Sequence, residues 1–230
     1  VTLNADYLLS RLEPWRQAGR WWLGLSGGLD SSVLLALLAE LRESHAVPPL
    51  AAIHIDHQLH PDSGQWATHC AAACERLGVP LECRKVVVED VGEGPEAAAR
   101  NARYQVFESL LGSGDLLLLA HHLDDQVETF FLRLMRGAGT RGLSGIPASR
   151  PLGPGTLLRP LLAVPRLELE AWARQRGLDW VEDSSNEDLA MDRNFLRQRL
   201  LPLLEQRWPA YRQSVERSRG ALADAEGILA

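Results

Sequence analysis

The chain has 230 residues, of which 46% are hydrophobic and 23% charged, and a formal net charge of −6. That composition suits one globular domain with a sizeable core, and the negative total argues against a uniformly basic nucleic-acid binder. No apolar stretch approaches the ~20 residues that span a bilayer. Asn4, Asp6, Arg11 and Glu13 interrupt the amino-terminal apolar residues where a signal peptide would need them unbroken. The expectation is a cytoplasmic protein with no membrane partner.

In chain order, Arg11 to Gly19 reads as the end of an amphipathic first helix. Arg20 to Leu25 is a short apolar run and therefore a buried strand. Ser31 to Glu43 is helical, because Leu34, Leu37, Leu38 and Leu41 recur on one face, and Pro48-Pro49 breaks the pattern. Leu50 to Asp56 is a second strand. Ser63 to Leu77 is a helix stopped by Gly78, and Leu81 to Val88 is a third strand. Gly94-Pro95 opens a helix that runs to about Leu111. Asp115 to Ala120 is a fourth strand and Asp125 to Met135 a fourth helix. Strands alternating with helices predict an α/β fold with a doubly wound parallel sheet of about five strands. In such sheets ligands sit at the carboxyl ends of the strands.

After Arg136 the texture changes. Gly137 to Pro160 holds six glycines and four prolines and reads as a long irregular segment. Helical pattern resumes from Pro165 to Arg176 and again from Asn194. Residues 1–210 form the expected catalytic domain, and Tyr211 to Ala230 an unfinished helix leading to a linker, as in a piece of a longer protein.

Charge is unevenly placed. Arginine supplies all the basic residues except Lys85. From Thr129 to Leu167 there is no Asp or Glu, yet Arg133, Arg136, Arg141, Arg150, Arg159 and Arg166 occur, and more arginines follow Arg193. A basic zone on an acidic protein suits a local polyanion. Cys70, Cys74 and Cys83 lack the pair-of-pairs spacing of a zinc site and read as free thiols.

Polar clusters fall at the strand ends. Ser26-Gly27-Gly28-Leu29-Asp30-Ser31 joins the first strand to a helix. Unpaired N–H groups and the positive end of the dipole lie at a helix start, glycines admit an anion closely, and the serines add donors. The stretch is a phosphate cradle, distinct from the lysine-bearing loop and from the dinucleotide loop. Arg100 and Arg103 share a helix face, where they could stabilise charge on a transferring phosphoryl group. His121-His122-Leu123-Asp124-Asp125-Gln126-Val127-Glu128 ends the fourth strand. Asp125 and Glu128 suit a helix cap, and three carboxylates together suit Mg2+ or an ammonium-bearing substrate.

The stretch Ser26 to Ser31 resembles the pyrophosphate-binding loop of the ATP pyrophosphatase superfamily. The resemblance implies that Ser26, Gly27, Gly28, Leu29, Asp30 and Ser31 hold ATP, that Asp30 helps place Mg2+, and that Asp56, ending the second strand, contacts the nucleotide. His57 and His60 read as loop histidines. Taken with the run from His121 to Gly142-Leu143, Trp180-Val181-Glu182-Asp183-Ser184-Ser185-Asn186, and Asp192-Arg193-Asn194-Phe195-Leu196-Arg197, the chain from about Trp21 to Pro202 resembles the tRNA(Ile)-lysidine synthetase family. That resemblance implies a carbon–nitrogen ligase. ATP adenylates the wobble cytidine of the CAU anticodon of tRNA(Ile), and free L-lysine displaces AMP. Asp30, Arg100, Arg103, Asp125 and Glu128 are then the catalytic set, with Asp30 and Asp125 on Mg2+. Asp124, Arg133, Arg136, Arg141, Arg193 and Arg197 are the groups for lysine or RNA. The family also implies further carboxy-terminal domains; the oligomeric state is open, a homodimer included. A tRNA cytidine-thiolating enzyme of the same superfamily is the nearest alternative, and a non-catalytic nucleotide-sensing domain is one of another class.

Overall fold

The computed structural model describes residues 2–58, 61–87 and 95–229. Val88, His60 and Gly94, which enter the expectations above, lie outside them. The first helix, α1 (Ala5–Leu12), ends earlier than the sequence suggests. The Asn4 side chain caps it by accepting from the Tyr7 N–H at 2.8 Å, and Pro14 confines the next residues to a single tight turn, Glu13–Trp15.

Four strand–helix units come next: β1 (Trp21–Gly24), α2 (Leu29–Ser44), β2 (Leu50–Asp56), α3 (Ser63–Arg76), β3 (Leu81–Lys85), α4 (Pro95–Leu110), β4 (Leu116–Leu118) and α5 (Leu123–Met135). The segment expected to be irregular holds a short helix, α6 (Thr140–Leu143), and a hairpin of β5 (Ser149–Leu152) and β6 (Gly155–Leu158). The sheet therefore has six strands, in the order β3-β2-β1-β4-β6-β5, with all neighbours parallel except β5 on β6. The hairpin closes through Gly153 and Pro154. Gly153 has φ +54, which glycine adopts without strain. A side chain at Gly155 would put its Cβ 2.7 Å from the Asp115 carbonyl oxygen, so glycine is what lets β6 approach β4.

Both sheet faces are covered, which explains the apolar runs. Alternation sends Trp21, Leu23, Leu116 and Leu118 into one core with α1, α2, α3 and α7 (Arg166–Gln175). Trp22, Ile53, Leu117 and Leu157 pack oppositely, with Phe107 and Leu111 of α4 and the segment just beyond it.

The carboxy-terminal part is α8 (Asp192–Phe195), running through a wide turn at Leu196–Leu200 into α9 (Leu201–Arg207), then α10 (Tyr211–Leu229). A third small core joins Leu201 and Tyr211 to Val127 of α5. Farther along, Thr140 donates to Glu226 at 2.9 Å, and Arg219 donates to the Ser144 carbonyl at 2.8 Å. α10 thus lies along α5 and α6.

Candidate active site

β1 ends at the glycine loop. Gly27 has φ +86, and a Cβ there would lie 3.1 Å from Cys70 Sγ, so the bend needs glycine twice over. Gly28 caps α2, and Leu29 anchors its first turn in the core. The hydroxyls hold the loop's shape: Ser26 and Ser31 Oγ lie 3.0 Å apart, the Gly28 N–H donates to Ser26 Oγ at 3.3 Å, and Ser31 Oγ donates to the Gly28 carbonyl at 3.1 Å. The Val181 N–H donates to the Gly27 carbonyl at 2.9 Å, fixing the loop from outside. Asp56 lies buried at the end of β2 and accepts from the Gln58 N–H at 2.8 Å.

Facing the loop is the first turn of α5. Its cap is His122 rather than Asp125. His122 Nδ1 accepts from the Asp125 N–H at 3.4 Å, while Asp125 Oδ2 accepts from the His122 N–H at 2.9 Å. That tautomer leaves the ring proton on Nε2, which lies 3.5 Å from Asp30 Oδ2 and 3.6 Å from Asp125 Oδ2. His122 is therefore the physical link between the phosphate loop and the acidic cluster. Burial alone would disfavour its charge, but the hydrogen bond to Asp30 and the charges of Asp125, Asp30 and Asp124 outweigh it and raise its pKa.

The carboxylates of α5 are met by arginines from the carboxy-terminal helices and the wide turn between them. Arg193 donates through Nε to Glu128 Oε2 at 2.6 Å and through Nη2 to Asp125 Oδ1 at 3.1 Å. Arg197 donates to both Glu128 oxygens, at 2.7 and 3.0 Å. Glu128 is 1% exposed, so this pairing is what allows its charge inside the protein. Asp124 accepts from Arg212 Nε at 2.7 Å and from the Arg166 N–H at 2.8 Å, tying α10 and α7 to α5. Burial would raise the Asp124 pKa, but the Arg166 and Arg212 bonds hold it below its ordinary value. Burial likewise opposes ionisation of Asp125, and His122 and Arg193 lower its pKa in spite of that.

The other arginines divide. Arg133 donates to the Gly142 and Gly145 carbonyls at 2.7 and 2.9 Å and so braces the turn after α6. Arg136 is exposed and meets Asp192 at 3.5 Å. Arg141 stands exposed on the rim of a groove of about 790 Å³, which Arg11, Arg133, Arg159 and Arg219 also line. Arg100 and Arg103 lie on α4; Arg100 is exposed, and the charge of Arg103, after burial, lowers the pKa of His57. Sequence reasoning passed over His121, His122, Arg159 and Arg212 as individual site residues. His121 accepts at Nδ1 from Arg159 Nε at 3.2 Å, and burial, with nearby arginines, pushes its pKa down to about 3.

Residues 3–204 match the PP-loop domain family. The chain belongs to that family. Membership implies ATP use. Among curated relatives, the tRNA(Ile)-lysidine synthase of Pseudomonas aeruginosa is 52% identical over 97% of this chain and 50% of its own length. The enzyme of that name from Salmonella schwarzengrund is 48% identical over 100% of this chain and 51% of its own. The chain thus spans about half the length of the curated relatives it matches. Among solved structures, a U34-tRNA thiolase from Methanococcus maripaludis superposes with a TM-score of 0.77 at 18% identity, covering 96% of this chain and 78% of its own. An NMN synthetase from Francisella tularensis gives 0.51 at 12% identity, over 85% and 87%. Both show the fold.

The PP-loop domain's donor atoms fit a hard cation at one point. Asp30 Oδ1 is buried without a hydrogen-bond partner among the described residues, a costly state for a carboxylate oxygen that a divalent ion would relieve. Among those residues, no three His, Cys, Asp or Glu are arranged as a closed protein-only metal site. Cys70 and Cys74 are buried free thiols, pushed up by burial to about 12 and about 11. Among the described residues no helix is long and apolar enough to cross a membrane.

Proposed function

We propose that this chain is the catalytic part of an enzyme that ligates free L-lysine to the wobble cytidine of the CAU anticodon of tRNA(Ile), consuming ATP and releasing AMP and pyrophosphate. The observation that carries the reading is the identity of about half of the residues to tRNA(Ile)-lysidine synthases across nearly the whole chain. The site geometry supports it. The loop of Ser26 to Ser31 cradles the pyrophosphate that leaves. Asp30, with its unpartnered oxygen, and Asp125, if Arg193 yields one oxygen, would hold Mg2+; that ion would neutralise phosphate charge as the bond to the α-phosphorus breaks.

The α5 turn serves the second substrate. Asp124, Asp125 and Glu128 are carboxylates that an ammonium group could share with, or take from, their arginine partners. A lysine ε-amine must lose its proton before it attacks, and burial at this turn would favour the neutral form where the carboxylates stay paired with arginines. Arg103 of α4 would stabilise the phosphoryl charge, and the arginine-lined groove beside α6 suits the anticodon loop. Cytidine thiolation is the second reading, favoured only by the likeness in fold to the thiolase.

The test is incubation with ATP, Mg2+ and unmodified tRNA bearing CAU, with and without lysine. Lysine-dependent AMP release is the expected result. AMP release indifferent to lysine, or nucleotide binding without turnover, overturns the proposal.

A further inference from the structure

We propose that Arg100, Arg150 and Arg159, gathered around Tyr104, form an anion site for a phosphodiester of the RNA strand beside the nucleotide being modified. The inference rests on the reading of RNA as substrate and gives that substrate a specific handhold.

The grouping arises from three elements. On β5, alternation puts Arg150 on the same face as Leu152, which packs in the core beneath α4. Its guanidinium lies 4.9 Å from the centre of the Tyr104 ring. Arg100, one turn before Tyr104 on α4, lies 5.1 Å from the same ring. Arg159, just beyond β6 and buried, donates to the Tyr104 hydroxyl at 3.4 Å, to His121 at 3.2 Å and to the Pro147 carbonyl at 2.8 Å.

Charge balance distinguishes this cluster from the arginines around α5. Arg193, Arg197 and Arg212 each meet a carboxylate, whereas among the described residues Arg100, Arg150 and Arg159 form no ion pair. Three guanidiniums on one phenol repel one another, and the aromatic ring offsets only part of that. Tyr104 registers the field: burial would raise its pKa, yet Arg100 and Arg159 bring it below the ordinary value. A phosphodiester supplies the missing charge and matches the forked donors of arginine.

Position argues for the polynucleotide over the nucleotide. β5 stands three strands from β1 in the sheet, roughly 14 Å at the usual strand spacing. A group held there does not share the pyrophosphate cradle. Arg159 and His121 connect the cluster to the end of β4, next to Asp125. A strand gripped at Arg150 would therefore lead its neighbouring base toward the carboxylates.

The experiment compares wild type with Arg150→Gln and Arg150→Lys. Binding of a ten-residue oligoribocytidylate and of a CAU anticodon stem-loop is measured across a salt series, with ATP binding in parallel. Arg150→Gln should weaken both RNAs by roughly 3- to 10-fold at low salt and reduce the slope of log K against log salt by about 0.7 for the oligonucleotide, the loss of one phosphate contact. ATP affinity should stay within about twofold, and Arg150→Lys should restore the slope. Unchanged RNA affinity and slope overturn the proposal, as does a loss confined to ATP. If wild type shows no lysine-dependent AMP release while the oligoribocytidylate slope still falls in Arg150→Gln, the ligase reading fails and the anion site stands.

Discussion

Glu128 offers a way to separate a structural carboxylate from a reactive one. In Glu128→Ala, three charge-assisted hydrogen bonds from Arg193 and Arg197 disappear. Such bonds contribute about 1.5–3 kcal/mol each when the freed partner stays buried. Here the Arg193 and Arg197 side chains are 30% and 36% exposed, so both guanidiniums regain water. The expected destabilisation is therefore about 3 kcal/mol, at the low end for breaking a buried pair. For a chain of this length that corresponds to a fall in Tm of about 6–12 °C. Urea unfolding followed by tryptophan fluorescence measures it directly. In a double-mutant cycle with Arg197→Ala, a coupling of about 1–2 kcal/mol is expected, because the two side chains touch. A variant that loses AMP release yet unfolds within about 0.5 kcal/mol of wild type would refute this reasoning, since surface-like tolerance is incompatible with a paired buried charge.

Asp30→Ala should abolish AMP formation while leaving urea stability within about 1 kcal/mol of wild type, because the lost contact with His122 is offset by removal of a buried unpartnered oxygen; a larger loss would assign Asp30 a mainly structural role. His121 has a folded pKa of about 3 against 6.5. The unfolded chain therefore takes up the proton first, and stability falls as pH drops below 6.5. His121→Asn, which keeps an acceptor for Arg159, should lose about 1 kcal/mol less than wild type between about pH 6 and pH 5; parallel stability curves would exclude the buried neutral imidazole. Arg136→Ala and Arg141→Ala, changes at exposed side chains, should each reduce the salt slope of stem-loop binding by about 0.9 with no loss of Tm. A slope equal to wild type returns both residues to the solvated surface.

Legibility in the sequence followed the range of the interactions. β2 runs Leu50–Asp56 as its apolar pattern indicates, because a strand buried on both faces has no competing period. The hairpin β5–β6 escaped notice: with Arg150 and Pro151 in one strand and Gly155 opening the other, beside Gly153 and Pro154, its β signal is weak, and pairing with β4 stabilises it instead. At the site, the spacing of Asp125 and Glu128 announced a shared helix face. Their partners did not, since Arg193 and Arg197 lie 65 to 69 residues away and Arg212 reaches Asp124 across 88. His122 was hidden for another reason. Histidine is an uncommon cap, and only the fold reveals that its second nitrogen reaches the phosphate loop.

The pairing of these groups bears on how the site handles cations. Asp124, Asp125 and Glu128 would repel one another if left bare, and Arg212, Arg193 and Arg197 nearly cancel their charge. An incoming ammonium or metal ion thus competes with a guanidinium for every carboxylate on α5, whereas at Asp30 Oδ1 it competes with nothing among the described residues. That asymmetry favours filling Asp30 first. Charge arriving there weakens the hold of Asp30 on His122, and His122 shares its other contacts with Asp125 and Asp124. The phosphate loop and the acidic turn are consequently coupled through one imidazole, and the arginines that set the strength of the coupling belong to the carboxy-terminal helices and the wide turn between them. Residues 193–212 are in this sense part of the candidate site, although they lie outside the sheet that carries it.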